Sequence, residues 1–339
     1  MFARVAALAV VAGLAAPAFA NGVISEFPAG GLVFKEAANI AIAREDLYLS
    51  IREVKVHYVY RSDATETETH TIGFPMPVVP VSGGPDFLGG SDAGMLGDMR
   101  NYMDFKVSVN GKPLEAKLHE FAWIDGKDVS AELKAAGVPL IPDFSEEGSE
   151  EPFASLDRAV LDGLIKKGYF QTYEGSDYID PAWEYQTVYE WQQDFAPGTT
   201  EVEISYVPLN GYPSGIGQTY EGGGEYDDPE TVKANNFWYC IDDAIVKAIQ
   251  KRKEMASYEV VTQGYVTVSG NFWKGPIEEF NLIVDKRDTG EGMKDADLVA
   301  FCPPEAKKIS DTQFRWSTTN YEPERDISVV YYSFHDYEE

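Results

Sequence analysis

Positive charge is scarce in this chain of 339 residues. It has 28 Lys and Arg against 56 Asp and Glu, which gives a formal net charge of −28 at pH 7. A protein that binds nucleic acid must neutralise phosphates with clustered cations, so this imbalance excludes electrostatic binding of DNA or RNA. The excess of acid indicates either a solvated surface that keeps copies apart or a site for divalent cations or a basic partner. We expect the solvated surface.

Histidine is also rare, with four copies scattered along the sequence. They are His57, His70, His119 and His335, and no HExxH motif is present. A zinc site needs clustered His or Cys ligands. His57 and His70 could approach each other on neighbouring strands, but histidines on the polar face of a strand are usually only solvated. The sequence therefore predicts no metal site and no cofactor.

Common catalytic and phosphate-binding motifs are missing as well. Residues 211–215 come nearest to a nucleophile elbow, but they do not have the G-x-S-x-G spacing. No G-K-[ST] sequence occurs, which excludes a phosphate-binding loop of that type. Paired carboxylates stay open, because 56 acidic residues allow many pairs whose distances in space cannot be read from a sequence. No catalytic residue is assigned.

A long hydrophobic run occurs only at the N-terminus. Residues 1–20 begin with a single cation, Arg4, continue through an apolar run and end in Ala18-Phe19-Ala20. This order is typical of a signal peptide, cleaved here between Ala20 and Asn21, and the run is too short to span a bilayer comfortably. A buried N-terminal helix is the alternative, but the run has no polar face. We expect a periplasmic or secreted protein whose mature chain has no membrane span.

Cysteine occurs only twice, as Cys240 and Cys302. In an exported chain the default is one disulfide between them. The alternative is a reactive thiolate at Cys240, which precedes a predicted helix whose N-terminal dipole lowers a thiol pKa. Asp242 and Asp243 follow directly and oppose that effect, so we expect the disulfide.

Hydrophobic periodicity predicts a mainly β fold. Aromatic residues form 13% of the chain, and Tyr, Phe and Trp favour strands. In residues 53–60 the alternation places Lys55 and His57 on the polar face of a strand. In residues 182–193 a row of aromatic residues alternates with polar ones. Such a row suits a buried core face or a sugar-binding platform, and we expect the core.

The length exceeds what one core usually holds, which predicts two antiparallel β-sandwich-like domains. Residues 21–210 form the first domain, with a helical insertion near 128–168. Residues 211–339 form the second, which opens with a helix near 241–254. The helices are indicated by apolar residues that recur at helical spacing.

An acidic, glycine-rich loop near residues 221–230 lies at the predicted domain boundary. It supplies the oxygen ligands that calcium prefers, from Glu221, Glu225, Asp227, Asp228 and Glu230. The order of ligands found in EF-hand loops is absent, so we favour a solvated linker over a calcium site.

The run GNFWKGPIEEFNLIVDK, residues 270–286, resembles the signature of a bacterial family of exported proteins of unknown function. Segments such as IGFPMPVVP, WYCIDDA and LVAFC are similar to that family in the same order, and the resemblance covers nearly all of the mature chain. It implies no activity, cofactor or catalytic residue. Both cysteines fall inside matching motifs, which is consistent with their pairing.

Trp273 and Lys274, in the WKGP string of that signature, form the candidate contact surface. The Gly-Pro that follows indicates a turn, and a tryptophan beside a turn is either an exposed contact or a plug in the core. The plug is the favoured interpretation, and the contact is the one that would carry function.

Taken together, the signal sequence, the strand periodicity and the missing catalytic motifs predict an exported, non-enzymatic binding or scaffolding module. An unidentified envelope protein or glycan is the expected partner. The alternative is a hydrolase that cleaves carbohydrate or peptidoglycan with two carboxylates, for which a cleft holding two carboxyl groups about 5 to 9 Å apart would be evidence.

Overall fold

The computed structural model describes residues 23–26, 33–82, 99–141, 153, 156–173, 175–176, 179–212, 233, 236–253, 256–290 and 292–336. The predicted cleavage position at Ala20 and Asn21 and the acidic loop of residues 221–230 lie outside these ranges. Strands form most of the regular structure, which confirms the predicted mainly β fold. Within the described ranges, no helix is long and apolar enough to cross a membrane.

The largest sheet in the described part of the chain has eight strands. In their order across the sheet they are β18 (Lys307–Lys308), β19 (Gln313–Tyr321), β16 (Ile277–Asp285), β3 (Ile40–Ser50), β4 (Val54–Ser62), β14 (Gly198–Tyr206), β7 (Lys106–Val109) and β8 (Lys112–Leu114). Strands β3 and β16 run parallel, whereas the other neighbours are antiparallel. The parallel pair departs from the expected antiparallel arrangement.

The other sheets are smaller. A sheet of seven described strands has the order β10 (Lys127–Asp128), β9 (Lys117–Ile124), β13 (Glu184–Phe195), β5 (Glu68–Pro75), β1 (Val23–Glu26) and β2 (Val33–Phe34), with β6 (Val79–Pro80) also paired to β13. A third sheet has the order β15 (Ala256–Tyr265), β20 (Ile327–Asp336) and β17 (Leu298–Phe301). A short ladder joins β11 (Phe170–Thr172) to β12 (Ile179–Pro181).

The main core lies between the buried faces of these sheets, and strand alternation creates it. In β4, Val56 and Tyr58 are buried while Lys55 and His57 point to the opposite face. The ring of Tyr60 then packs against Phe195 of β13, with ring centres 5.4 Å apart. Such edge-to-face contacts join the two larger sheets.

The aromatic row of β13 belongs to this core. Tyr185, Tyr189 and Trp191 are each at most 5% exposed. The ring of Tyr189 stacks on Phe105 at 4.1 Å, and Trp183 meets Phe170 edge to face at 5.2 Å. The row is therefore a core face, as predicted, and is not available as a sugar-binding platform.

Strand pairing crosses the predicted domain boundary between residues 210 and 211. Strands β16 and β19 extend the sheet that β3, β4 and β14 begin. The main hydrophobic cluster also draws on both halves of the chain, and the hydroxyl oxygens of Tyr58 and Tyr265 lie 2.9 Å apart within it. The two halves thus share a layer and a core, and their division into separate folding units stays a prediction.

Three α-helices have described bounds, α1 (Ser130–Ala135), α2 (Arg158–Lys166) and α3 (Asp243–Lys253), along with short 3₁₀ helices at Met99–Asn101 and Val268–Phe272. Asp157 caps α2, because its Oδ1 accepts hydrogen bonds from the N–H groups of Ala159 and Val160 at 2.8 and 3.2 Å. Helices α1 and α2 fall in the predicted insertion, and α3 falls in the predicted opening of the second half.

Helix α3 covers the small sheet on its side away from the main core. Ile249 of α3 is buried in a second cluster with Val330 and Tyr332 of β20. Cys240, just before α3, and Cys302, just after β17, lie in disulfide geometry with Cα atoms 5.2 Å apart. The described part of the chain thus places the two predicted partners together.

Candidate ligand-binding groove

A cavity of about 1300 Å³ lies over the outer face of the eight-stranded sheet. We call it the groove. Its polar and outward-facing lining from this sheet includes Arg315 in β19, Asn281 and Ile283 in β16, Arg44, Asp46 and Tyr48 in β3, Lys55 and His57 in β4, Glu203 and Ser205 in β14, Lys106 and Ser108 in β7, and Pro113 in β8. Apolar residues of the same strands complete it, namely Leu47, Val56, Val107, Leu114 and Ile204. Beyond β8 it continues past Glu115 to Glu120 and Tyr189 of the seven-stranded sheet. A volume of this size can hold a ligand larger than a single small molecule of drug size.

Strand register arranges the lining in rows across the sheet. The first row consists of successive partners on β19, β16, β3, β4, β14 and β7, namely Arg315, Ile283, Tyr48, Lys55, Ser205 and Lys106. We call it the cation row, because its charged members are all positive. The next row consists of Asn281, Asp46, His57, Glu203 and Ser108, and we call it the acceptor row.

A β-bulge decides which residues of β3 enter the groove. Ile42 pairs with Tyr60 and Arg44 pairs with Val59, so Ala43 is an extra residue between them. An extra residue shifts the alternation of a strand by one position. Arg44 consequently points into the groove, whereas the next residue, Glu45, points into the core.

Asp46 is the centre of a hydrogen-bonded network in the acceptor row. Its Oδ1 accepts hydrogen bonds from Nε of Arg44 and Nδ2 of Asn281, both at 2.9 Å. The ring of His57 lies between two acids, with Nδ1 3.6 Å from Asp46 and Nε2 3.4 Å from Glu201. The hydrogen bond to Asp46 also raises the pKa of Arg44. The two hydrogen bonds to Asp46 hold side chains of β3 and β16 in one orientation.

Tyr48 is fixed from the edge of the groove by a buried carboxylate. Its hydroxyl group donates to Oδ2 of Asp285 at 3.1 Å, and the side chain of Asp285 is fully buried. Burial alone would raise the pKa of Asp285, but hydrogen bonds from Arg287 and Gln313, both at 2.8 Å, outweigh it and hold the pKa well below its usual range. Burial and the neighbouring Asp285 raise the pKa of Tyr48 to about 12, so Tyr48 is neutral and keeps its donor.

Arg315 differs from the two lysines of the cation row. The side chain of Lys55 lies 2.8 Å from Glu53, and that of Lys106 pairs with Asp104. Arg315 makes no side-chain hydrogen bond or ion pair with the described residues, although its guanidinium has five N–H donors. The lysine pairs are exposed and therefore weak. All three cations can thus turn to a bound anion.

The balance of charge in the groove differs from that of the whole chain. Its described lining contains five Lys and Arg and four Asp and Glu. The full chain has twice as many acids as bases. The lining therefore carries one more cation than acid, so it is a more favourable place for an anionic group than the average surface of so acidic a chain.

One known protein family matches most of this chain. The family described as "Domain of unknown function (DUF4424)" matches residues 20–330. This chain belongs to the DUF4424 family. No curated protein matches it. A crystal structure from Legionella pneumophila, described as a "putative nutrient binding protein", is similar at 14% identity and a TM-score of 0.42, over 93% of this chain and 70% of the other.

The predicted contact surface of this DUF4424 protein requires a correction at Trp273. Its side chain is 5% exposed, and its ring packs 4.6 Å from Tyr60 and 5.8 Å from Phe195. Trp273 is thus the core plug rather than an exposed contact, because the chain turns inward between the two larger sheets. Lys274 is exposed and lies 2.7 Å from Asp63.

The histidines of the DUF4424 chain do not form a metal site within the described ranges. His57 lies on β4 and His70 on β5, which belong to different sheets, so the two histidines do not lie on neighbouring strands. His70 instead pairs with Glu68 at 3.1 Å. Among the described residues, no group of three His, Cys, Asp or Glu side chains could hold a metal ion.

Only part of the groove could be predicted from the DUF4424 sequence. Alternation in β4 indicated that Lys55 and His57 share a polar face. Nothing in the local sequence indicated that β16 would pair in parallel with β3 and place Asn281 and Arg315 beside them. That pairing joins segments more than 230 residues apart, and only the folded chain shows it.

Proposed function

We propose that this DUF4424 protein binds a ligand in the groove and works outside the cytoplasm without converting the ligand. The groove is the observation that supports this proposal. It combines a volume of about 1300 Å³ with a preorganised network around Asp46 and with the side chain of Arg315, which has no polar partner among the described residues. Binding sites typically hold a few polar groups in fixed positions within a concave surface.

A hydrolase is the other function class, and the groove does contain carboxylates. Asp46 is held by Arg44 and Asn281, and Glu120 accepts a hydrogen bond from Tyr185 at 3.0 Å. Because an Asp46 oxygen already accepts hydrogen bonds from a guanidinium and an amide, this carboxylate is suited to fixing a ligand rather than to acting as a general acid. We therefore favour binding over hydrolysis.

The test uses substitutions that block the groove. Ser205 lies between Lys55 and Lys106 in the cation row, and Thr199 lies on the same strand and face but outside the groove. Protein isolated from its native source is examined by native mass spectrometry for a bound small molecule. We expect the bound mass in the wild type and in Thr199→Trp, and its loss in Ser205→Trp. An unloaded wild type, or equal loading of Ser205→Trp, contradicts the proposal, and release of cleaved products from the bound molecule favours the hydrolase.

Export is the second part of the proposal. The signal-like order of residues 1–20 and the disulfide geometry of Cys240 and Cys302 support it. The intact mass of the protein from its native source should correspond to a chain that begins at Asn21. A mass that includes Met1 would place the protein elsewhere.

A further inference from the structure

We propose that the ligand of the groove is an acidic oligosaccharide, with spaced carboxylates on the cation row and sugar hydroxyls on the acceptor row. This inference rests on the proposed function and names the chemical class of the ligand. It uses two features of the sheet together: a row in which all charged groups are positive, and a parallel row rich in oxygen acceptors.

The spacing of the cations favours a ligand with separated negative charges. Lys55 lies three strands from Arg315 and two from Lys106 in the sheet order. At about 4.8 Å between strands, the intervals are about 14 and 10 Å. Ile283, Tyr48 and Ser205 fill the intervening places without charge. A ligand with a carboxylate on every second unit fits such intervals better than one charged on every unit.

The acceptor row favours a ligand rich in hydroxyl groups. It lies two residues along each strand from the cation row, about 7 Å away. Asp46 and Glu203 offer carboxylate oxygens there. Asn281 donates one amide N–H to Asp46 and offers its second N–H and its carbonyl oxygen, whereas Ser108 donates its hydroxyl to Glu203 at 3.3 Å and offers its oxygen as an acceptor. Sugar hydroxyls can donate to these oxygens and accept from the amide, so both kinds of group are satisfied.

An acidic peptide fits this face less well. Extended peptides usually bind by adding a strand to a sheet edge, where main-chain groups are free. The groove runs over the side-chain face of strands whose main-chain groups are already paired on both sides. Closely spaced acidic side chains of a peptide would also approach Asp46 and Glu203, and like charges repel.

The binding experiment uses a fluorescent hyaluronan hexasaccharide, in which glucuronate alternates with N-acetylglucosamine. Chitohexaose, which has no carboxylate, and an alternating Glu-Gly peptide of similar length serve as competitors. We expect hyaluronan to bind, with an affinity that falls as salt is raised. Unlabelled chitohexaose and the peptide should not compete at equal concentration. Absence of hyaluronan binding, or equal competition by either competitor, overturns the inference.

A substitution in the cation row tests the assigned contact. Arg315→Gln should weaken hyaluronan binding by about tenfold or more, since a charge-assisted hydrogen bond to the carboxylate is lost. Arg158→Gln removes the same charge from an exposed position of α2 outside the groove and should leave the affinity unchanged. Both variants should keep the melting temperature of the wild type. Equal affinities of the two variants would overturn the assignment of Arg315.

The two proposals fail in different ways. If native protein carries a molecule that Ser205→Trp loses while hyaluronan does not bind, the ligand class is wrong and the groove remains a binding site. If neither native protein nor any probe shows occupation of the groove, both proposals are wrong.

Discussion

The hydroxyl group of Tyr265 donates a hydrogen bond to Oε1 of Glu45 at 3.3 Å, deep inside the main core. Both residues are 1% exposed, and Tyr58 lies 2.9 Å from the same hydroxyl oxygen. Burial raises the pKa of Glu45 to about 8, and the hydrogen bond from Tyr265 only partly opposes it. The bulge in β3 is what turns this carboxyl group inward, so one extra residue both supplies the groove with Arg44 and buries an acid.

Glu45 should make the protein less stable as pH rises. Its folded pKa of about 8 lies above the ordinary value of 4.5, so the folded state holds a proton that the unfolded state releases. The contribution of this group to stability is then largest below pH 4.5 and falls between pH 4.5 and 8, by up to about 1.4 kcal/mol per pH unit. Glu45→Gln should flatten this slope in urea denaturation measured from pH 5 to 9. The exposed Glu279→Gln is the control, and an unchanged slope in Glu45→Gln would contradict the assignment.

Local alternation explains how much of the fold the sequence could predict. The faces of β4 and the aromatic row of β13 follow the period of two that a strand with one buried face requires. The bulge at Ala43 breaks that period, and no local pattern marks it, because Arg44 and Glu45 are adjacent charged residues and the sequence does not indicate which of them faces the core. The rows of the groove depend on the parallel pairing of β3 and β16, which is set by packing between distant segments.

The buried face of α2 is a second feature that local sequence patterns do not fully predict. In residues 153–164 the helical spacing of Phe153, Leu156, Val160 and Leu164 predicts one buried stripe, but Val160 is 37% exposed and Leu161 is buried instead. Two apolar neighbours on a helix satisfy the spacing almost equally well. The N-cap at Asp157 and the packing of the helix choose between them.

Trp273→Ala should destabilise the protein by about 3 to 5 kcal/mol, because it removes a buried ring between Tyr60 and Phe195 and leaves a cavity. The measurement is the free energy of unfolding in urea. Lys274→Ala is the matched neighbour, and because the ion pair of Lys274 with Asp63 is exposed, its loss should cost less than about 1 kcal/mol. A stable Trp273→Ala variant would show that the ring does not support the core.

Reduction of the disulfide should weaken the C-terminal half. A bond between Cys240 and Cys302 closes a loop of 62 residues, which restricts the unfolded chain and stabilises the fold by about 4 kcal/mol in the loop-entropy description. Replacing both cysteines with serine should lower the free energy of unfolding by about that amount. The wild type should lose the same amount when dithiothreitol is added, and the double variant should be insensitive to it. Alkylation of both thiols in native, unreduced protein under denaturing conditions would show that the bond is absent.

Asp285 should contribute stability that is lost in acid, the opposite sign to Glu45. Its folded pKa lies below the ordinary 3.8, so its contribution is present above that pH and disappears as the pH falls further. Asp285→Asn should cost about 2 kcal/mol at pH 7, since Arg287 loses a buried charged partner. It should also flatten the acid limb of a stability curve measured from pH 6 to 2.

The exposed Glu66→Gln is the control for Asp285→Asn, and equal acid limbs for the two variants would contradict the role of Asp285. The same carboxylate fixes Tyr48 in the cation row. If that contact organises the groove, Asp285→Asn should also weaken hyaluronan binding, whereas Glu66→Gln should not. If Asp285→Asn loses stability but keeps its full affinity for hyaluronan, Asp285 supports the fold and does not organise the groove.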